Sequence, residues 1–394
     1  MPIRSFLSLI FVGALFSACS PVSPTLSTEI LSSERTRVMT AADSLLAFPV
    51  ITLTASQSDR SAGGIHDFYS EGDYWWPDTG NPGGPYIRKD GLTNPDNFTE
   101  HREYMRRLSI MVPALVSAFL LTGETRYADR ATDHLMAWFV EKDTKMNPNL
   151  LYSQAIYGIS TGRGIGIIDA IHLVEVVQAC QMLEARGRLQ GEELTAIKQW
   201  FADFTTWMTT HPYGLEEKNN GNNHSTCWAM QVAMYAQFTG NDSLFNATRE
   251  FYQTVLLPDQ LAPDGSFPKE MARTKPYGYS LFNLDAMFTL AHILATDDPE
   301  LWQFGKTDSL YLKAAIDFMF PYIADKGTWP LAPDVLYFDE WPMRHTALLF
   351  AYQAYGEDQY LDLWKTLPSD SQTEEVQRNF FVRQPVLWVY EKPH

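Results

Sequence analysis

Two short polar loops, each leading into an apolar segment, contain the residue types that can move protons beside an anion. The first loop covers residues 217–228 and includes Glu217, four asparagines and a single histidine, His224. Asn222 and Asn223 precede the apolar run directly, and asparagine is a favoured residue at the start of a helix. A helix start presents unpaired N–H groups and a partial positive charge, which bind anions. We therefore expect Asn222, Asn223 and His224 to begin a helix at which an anion binds.

The second loop covers residues 273–280 and is cationic and phenolic. Arg273 can hold a carboxylate through two parallel hydrogen bonds. Tyr279 stands six residues later, where the next apolar run begins. We expect Arg273 to lower the pKa of Tyr279, so that this phenol can give or take a proton. Tyr277 is the alternative candidate for that role, or for a contact with the substrate.

These residues fit β-elimination from a 4-linked uronic-acid polymer. That reaction needs a group that neutralises the sugar carboxylate, a base for the proton at C5 and an acid for the leaving O4. Hydrogen bonds can supply the neutralisation, so we expect neither a cofactor nor a metal. The positive helix end should keep His224 neutral and basic. Glu217 either donates a hydrogen bond to the substrate carboxylate or orients His224.

Further substrate contacts are expected from two loops rich in glycine, aromatic and charged residues. Residues 152–166 contain Gln154 and Arg163 beside a G-x-G-x-G run, which no strand precedes, so a dinucleotide site is rejected. Residues 60–100 form a long segment without helical periodicity, and such a segment inside a compact domain is usually functional. We expect this segment, with Trp76 and Arg88, and the similar region 325–345 to be walls or lids of a cleft.

Beyond residue 100 the pattern is helix after helix, with short turns that contain Gly, Asn or Asp. Two segments, 223–239 and 281–295, are apolar nearly all round and should be buried on every side, whereas others have a polar face. Inner helices that alternate with amphipathic outer ones predict an all-α fold, an incomplete (α/α) toroid around a central cleft. The predicted helices are 101–122, 125–141, 165–186, 190–209, 223–239, 243–257, 281–295, 308–321, 343–355 and 357–366.

Composition and the N-terminus limit the partners and the location. The net charge of −17 argues against a nucleic-acid partner, although a local cationic groove can exist on an acidic protein. Residues 1–19 have the pattern of a lipoprotein-type export signal that ends at Cys19. We expect residues 20–40 to be a flexible tether, residues 41–394 to be one domain, and no later segment to span a membrane. The expectation is a monomeric periplasmic or outer-membrane protein that meets the membrane only through a lipid on Cys19.

The joint pattern resembles the alginate-lyase-like α/α-toroid polysaccharide lyases, over roughly residues 60–350. The pair Asn223-His224, the Arg273-to-Tyr279 spacing of six and Glu217 seven residues before His224 are most similar to polysaccharide lyase family thirty-eight. The resemblance implies cleavage of alginate or glucuronan without a metal. It also implies His224 and Tyr279 as the proton-transfer pair, with Asn223, Arg273 and Glu217 as neutralisers of the carboxylate.

Two other functions remain open at this level. A glycoside hydrolase on the same toroid would use two carboxylates. The candidates stand in or near the irregular loops and the apolar helix, and they are Asp73, Asp78, Asp285, Asp334 and Asp339. A lipoprotein that captures sugars without cleaving them would need only the aromatic loops. The sequence also leaves open the C5 epimer, which decides whether Tyr279 acts alone or shares the work with His224.

Overall fold

The computed structural model describes residues 24–306 and 309–390, and helices dominate this part of the chain. The α-helices are α1 Pro24–Leu45, α2 Glu100–Thr122, α3 Thr125–Phe139, α4 Leu173–Ala185, α5 Gly191–Thr210, α6 Pro212–Lys218, α7 Asn223–Thr239, α8 Asp242–Phe251, α9 Leu257–Gln260, α10 Pro268–Met271, α11 Pro276–Leu294, α12 Tyr311–Ala324, α13 Thr346–Tyr355, α14 Asp358–Thr366, α15 Glu374–Asn379 and α16 Pro385–Val389. Shorter 3₁₀ turns cover Leu53–Ala55, Gly164–Ala170, Pro299–Gln303, Lys326–Thr328 and Phe338–Glu340, and a π turn covers Tyr252–Leu256.

The helices form two layers. The inner layer runs α2, α4, α7, α11 and α13, each packed on the next. The outer layer covers it, with α3 on α2, α5 and α8 on α7, α12 on α11 and α14 on α13. The two most apolar helices, α7 and α11, are central to the inner layer, because a helix without a polar face is stable only where neighbours surround it. The predicted all-α toroid is confirmed.

Local signals place the ends of the helices that matter for the site. The Asn222 side chain accepts a hydrogen bond from the His224 backbone N–H at 3.0 Å, so α7 begins as predicted and covers the predicted range. The next inner helix, α11, begins at Pro276, five residues before the predicted start. Proline is well suited to a first helical turn because it has no N–H to satisfy there. Tyr277 and Tyr279 therefore lie in the first turn of α11 rather than in the loop before it.

The strands are short, and most of them stand beside the cavity. β1 Tyr69–Glu71 pairs in parallel with β4 Tyr152–Ala155, and β2 Trp75–Trp76 pairs antiparallel with β3 Ile87–Arg88. β5 Gly305–Lys306 and β6 Ser309–Leu310 form a separate hairpin. The irregular segment 60–100 therefore contains β1, β2 and β3, and β1 connects it to the loop that contains Gln154.

The flexible tether predicted over residues 20–40 is wrong from residue 24 onward. Helix α1 occupies residues 24–45 and packs on α2 and α16. Five of its buried side chains recur every four residues, which places them on one helix face; they are Leu26, Ile30, Glu34, Val38 and Ala42. The abundant Ser and Thr between them conceal this stripe in the sequence. The predicted export signal and Cys19 lie outside the described residues.

Helix α2 is long and apolar enough to cross a membrane by length and composition, contrary to the sequence-based expectation. Most of its apolar stretch is buried against α1, α3 and α4. The core helix of a globular protein has the same composition, so this hydrophobicity is explained by packing.

Candidate active site

One cavity of about 430 Å³ opens between the inner helices and the irregular segment 60–100. Its lining is strongly cationic, on a chain whose net charge is −17. Among the described residues that line it there are two carboxylates, Asp73 and Asp169, against six arginines: Arg88, Arg102, Arg106, Arg163, Arg273 and Arg378. The cavity is therefore the local cationic groove that an anionic substrate requires.

The start of α7 delivers His224 to this cavity. Its Nδ1 is 2.8 Å from Glu217 Oε1, and Glu217 is fully buried behind it. The pairing leaves Nε2 as the ring nitrogen available to the cavity. Glu217 is absent from the cavity lining, so of its two expected roles the geometry fits the orientation of His224 and not contact with the substrate.

The charge state of this pair differs from the expectation of a neutral His224. Burial lowers the pKa of His224, but the Glu217 carboxylate opposes it and raises the pKa above its ordinary value of 6.5. Burial in turn raises the pKa of Glu217. A hydrogen-bonded carboxylate 2.8 Å away outweighs the partial charge of a helix end. His224 is therefore a stronger base than a free imidazole.

Asn223 lines the cavity and is fixed by a carboxylate that the sequence analysis missed. Its backbone N–H donates to Glu270 Oε1 at 2.8 Å, and its Nδ2 donates to Glu270 Oε2 at 2.7 Å. Glu270 is buried in the four-residue helix α10, three residues before Arg273. No local sequence signal indicates that this glutamate turns inward, because its partner lies 47 residues away.

Arg273 and Tyr279 meet on the opposite wall. The guanidinium carbon lies 4.5 Å from the centre of the Tyr279 ring, and Nη2 is 3.4 Å from its hydroxyl oxygen. The Tyr279 hydroxyl also contacts the Tyr74 hydroxyl at 2.7 Å. The expected fall in the pKa of Tyr279 does not occur: burial raises it to about 12, although Arg273 and Tyr74 act against burial. The Tyr279 phenol is therefore protonated at neutral pH.

Asp90 holds the other side of Arg273. It accepts a hydrogen bond from Arg273 at 3.2 Å and another from Thr274 at 3.0 Å. Burial opposes the charge of Asp90, but Arg273 prevails and keeps the pKa of this carboxyl below its ordinary value. The exposed side chain of Arg88, which also lines the cavity, pairs with Asp90 at 2.6 Å. Neither Asp90 nor Tyr74 stands in a pattern that predicts its role from the sequence.

Two of the predicted substrate contacts, Tyr277 and Trp76, are not among the residues that line the cavity. Tyr277 is fully buried, and its hydroxyl donates to the backbone oxygen of Tyr322. Residues two apart on a helix face about 200° away from each other, so Tyr279 and Tyr277 cannot both reach the cavity. Trp76 donates its indole N–H to the Leu92 carbonyl, whereas Trp75 lines the cavity. Successive residues of a strand point to opposite faces, and the start of β2 could not be fixed from the sequence.

Gln154 and Arg163 line the cavity as predicted, and they contact each other. Arg163 Nε donates to the Gln154 backbone oxygen at 2.8 Å, and Nη2 donates to its side-chain oxygen at 3.1 Å. Gln154 has a φ of 48°, in the left-handed region that a residue with a side chain rarely adopts. Such strain persists where the surroundings impose it, often at functional sites.

The candidate carboxylates of the hydrolase alternative are not arranged for that chemistry. Of the five, Asp73 is the one that lines the cavity described. Arg102 and Arg378 contact it at 2.6 and 2.9 Å. Burial raises the pKa of Asp73, but these arginines lower it further, so this carboxyl cannot act as a proton donor. Asp285 is buried against His345, and Asp334 accepts the backbone N–H groups of Tyr277 and Gly278.

Within residues 24–306 and 309–390, no three His, Cys, Asp or Glu side chains are grouped so that they could hold a metal ion. The two cysteines of this part of the chain, Cys180 and Cys227, are free and buried.

The structure is thus a helical toroid around a cationic cavity that contains a histidine and a tyrosine, an arrangement of the kind found in polysaccharide lyases. The sequence profile of the alginate lyase family matches residues 52–329, and the chain belongs to that family. It is a polysaccharide lyase, which acts by β-elimination. No protein among those with curated functions matches the sequence.

Two solved enzymes show the same architecture. An alginate lyase from Bacteroides ovatus is 29% identical and superimposes with a TM-score of 0.79, over 94% of this chain and 98% of that one. Alginate lyase A1-III from Sphingomonas species A1 is 15% identical, with a TM-score of 0.52 over 82% of this chain and 88% of that one. Its histidine-to-alanine variant, complexed with a tetrasaccharide, gives a TM-score of 0.58 at 15% identity, over 95% and 98% of the two chains.

Proposed function

We propose that this lyase cleaves alginate in the cavity described above, with His224 and Tyr279 as the proton-transfer pair. One observation carries the proposal: an imidazole backed by a buried carboxylate and a protonated phenol beside an arginine line the same cationic cavity. The name of the Bacteroides ovatus relative, alginate lyase, supports the choice of polymer. As a second candidate, we propose membership of polysaccharide lyase family thirty-eight with glucuronan as the substrate.

The mechanism assigns one task to each group. Arg273 and the Asn223 amide hold the uronate carboxylate, which stabilises the negative charge that develops when C5 loses its proton. His224 Nε2 takes that proton, and Glu217 stabilises the imidazolium that forms. The C5–H electron pair becomes the C4–C5 double bond, and the C4–O4 pair leaves with O4. Tyr279 gives its proton to O4, so that the products are a new chain end and an unsaturated uronate.

The neighbours of the proton donor fit this role. The Tyr74 hydroxyl, 2.7 Å away, can donate to the phenolate that Tyr279 becomes, and the Arg273 guanidinium lies over the same ring. Both contacts favour the charged product state over the neutral resting state, which is the property required of a group that loses a proton in the transition state.

The test is digestion of alginate and of glucuronan, followed by the ultraviolet absorbance of the unsaturated product. We expect absorbance to rise with alginate, both with and without EDTA, because amide and guanidinium groups neutralise the carboxylate. Saturated products would instead indicate hydrolysis. Loss of activity with EDTA that added calcium or manganese restores would identify a metal as the neutraliser. A rise with glucuronan alone would retain the mechanism and change the substrate.

We also propose that residues 1–19 are an export signal, that Cys19 receives a lipid anchor, and that the chain from α1 onward forms one monomeric domain. The spacing of the apolar run and Ser17-Ala18-Cys19 supports the anchor. Cell fractionation of the Cys19→Ala variant tests it: the variant should move from the membrane fraction to the soluble fraction.

A further inference from the structure

Arg163 differs from the other five arginines of the cavity wall. Each of those has a carboxylate partner: Arg88 and Arg273 contact Asp90, Arg102 and Arg378 contact Asp73, and Arg106 contacts Glu374. Among the described residues, no carboxylate lies within ion-pairing distance of the Arg163 guanidinium. Burial, together with nearby Arg88, lowers the pKa of Arg163 to about 10, against the opposing effect of Asp169. An unpaired cation that is partly withdrawn from water is costly, so this position favours an anionic ligand.

Neutral groups fix the orientation of this guanidinium. Gln154 accepts two of its hydrogen bonds, and the ring of Trp75 lies 5.8 Å from the guanidinium carbon. Gly72 makes room for both side chains, since a Cβ there would approach Arg163 Nη2 to 2.9 Å. Within the described part of the chain, Nη1 makes no hydrogen bond. A guanidinium whose Nε and Nη2 are held by the protein, and whose Nη1 makes no hydrogen bond to it, is pre-oriented to bind a carboxylate.

Gln154 is arranged to hold Arg163. Its Nε2 donates to Asp169 at 3.3 Å, its backbone N–H donates to Ser70 at 2.8 Å, and both of its oxygens accept from Arg163. These contacts maintain the left-handed φ of 48°. Most of the hydrogen-bonding capacity of Gln154 is thus used inside the protein. It acts as a positioning residue for Arg163, where the sequence analysis expected a substrate contact.

The position of Arg163 relative to the proton donor follows from chain connectivity. Tyr74 contacts the Tyr279 hydroxyl, and the next residue, Trp75, contacts the Arg163 guanidinium. Tyr74, Trp75, Arg163 and Tyr279 all line the same cavity of about 430 Å³, so the Arg163 site and the proposed site of elimination open into one space.

We infer that Arg163, held by Gln154, binds the carboxylate of the uronate next to the one that undergoes elimination. This inference rests on the proposed function and adds a specificity to it. The enzyme selects two consecutive uronates, because the first carboxylate binds at Asn223 and Arg273 and the second binds at Arg163. A polymer in which neutral sugars alternate with uronates leaves the half-buried Arg163 cation unpaired, and it should bind weakly.

The experiment compares Arg163→Gln and Arg163→Lys with wild type on alginate and on alginate whose carboxyl groups have been partly reduced to neutral sugars. We expect Arg163→Gln to raise KM on alginate about tenfold or more, the effect of losing a charge-assisted hydrogen bond, and Arg163→Lys to raise it less. Because the contact holds the substrate before and during the reaction alike, kcat should change less than about threefold. On the reduced polymer, the KM of the wild type should approach that of Arg163→Gln. Arg186→Gln, which removes the same charge from an exposed helix end, is the control.

Unchanged KM in Arg163→Gln, or an equal penalty on both polymers, would overturn the inference. Calorimetric binding of a saturated oligouronate separates the inference from the proposed function, because it requires no turnover. Weaker binding by Arg163→Gln supports the carboxylate site even if the wild type releases no unsaturated product, and that second result would contradict only the proposed function. A melting temperature equal to that of the wild type shows that the variant is folded, and Arg163→Lys answers the question if Arg163→Gln is unfolded.

Discussion

At the scale of single residues, the proposed reaction depends on two groups whose environments move their pKa values upward for different reasons. Burial holds the proton on Tyr279, with a pKa of about 12, and the Glu217 carboxylate strengthens His224 as a base. The two shifts assign the roles, since the group that keeps its proton is the acid and the group with the carboxylate partner is the base.

Tyr279→Phe should lower kcat by about 10²- to 10⁴-fold, the usual contribution of a general acid, while oligosaccharide binding changes little. Tyr277→Phe is the matched control. It removes a buried hydrogen bond to the Tyr322 carbonyl, at a cost of about 1 kcal/mol of folding free energy, and should retain near-normal kcat. Steady-state kinetics with thermal melting measures both effects, and the reverse order of the two activities would contradict the site.

The rate should rise with pH as His224 loses its proton, through a pKa above the ordinary 6.5 of histidine. Glu217→Gln keeps the shape of the side chain and removes the charge that raises this pKa. The acidic limb of the pH dependence of kcat/KM should then move to lower pH, and the plateau should fall by about tenfold or more because the base is weaker. An unmoved limb would mean that another group is the base.

At the scale of elements, the two walls of the site are joined by Glu270. It connects the first residue of α7 to α10 through two hydrogen bonds, and its own carbonyl accepts the Arg273 backbone N–H at 3.0 Å. One buried carboxylate thus sets the spacing between the two groups proposed to hold the substrate carboxylate.

Glu270→Gln should therefore impair catalysis more than stability. A glutamine has one acceptor where Asn223 presents two donors, so one charge-assisted bond is lost and kcat/KM should fall about 10- to 100-fold. Glu300→Gln, at an exposed position, is the control and should be neutral. A fall in melting temperature without a change in kcat/KM would show that Glu270 supports only the fold.

At the scale of the whole molecule, the cavity depends on contacts between distant parts of the chain. Arg378, near the C-terminus, lines the cavity. The segment that follows Arg378 is held by α1 near the N-terminus, because Arg37 donates hydrogen bonds to the Arg383 carbonyl and to the Gln384 side chain. Residues 24–45 are thus part of the domain, and they support one side of the site.

Ile30→Ala distinguishes this arrangement from a flexible tether. Ile30 is fully buried in α1, so its truncation should lower the free energy of unfolding by about 2–5 kcal/mol. Ser32→Ala, on the exposed face of the same helix, should have little effect. Chemical denaturation measures both, and equal stability of the two variants would show that α1 does not pack on the domain.

The sequence predicted what short-range signals determine. The start of α7 was predictable, because an asparagine cap followed by an apolar run is local information. The cluster of ion pairs in the cavity wall was not predictable. Its members come from four separated segments of the chain, and only closure of the toroid brings them together: Asp73, Arg102, Asp169 and Arg378. Trp76 was predicted to line the cleft, but Trp75 lines the cavity, because strand pairing fixes which of the two residues faces inward. The prediction that the helix end keeps His224 neutral was wrong, because the opposing effect of Glu217 depends on the distance between the two side chains, which the sequence does not contain.

The left-handed backbone of Gln154 has an evolutionary consequence. Glycine adopts this conformation without strain, so mutation to glycine would recover of order 1 kcal/mol at this position. Glycine has no amide with which to hold Arg163, however. Selection for stability and selection for consecutive uronates therefore act in opposite directions on one codon. In descendants that turn to polymers with neutral neighbours, we expect glutamine to disappear at residue 154 before any change appears at His224 or Tyr279.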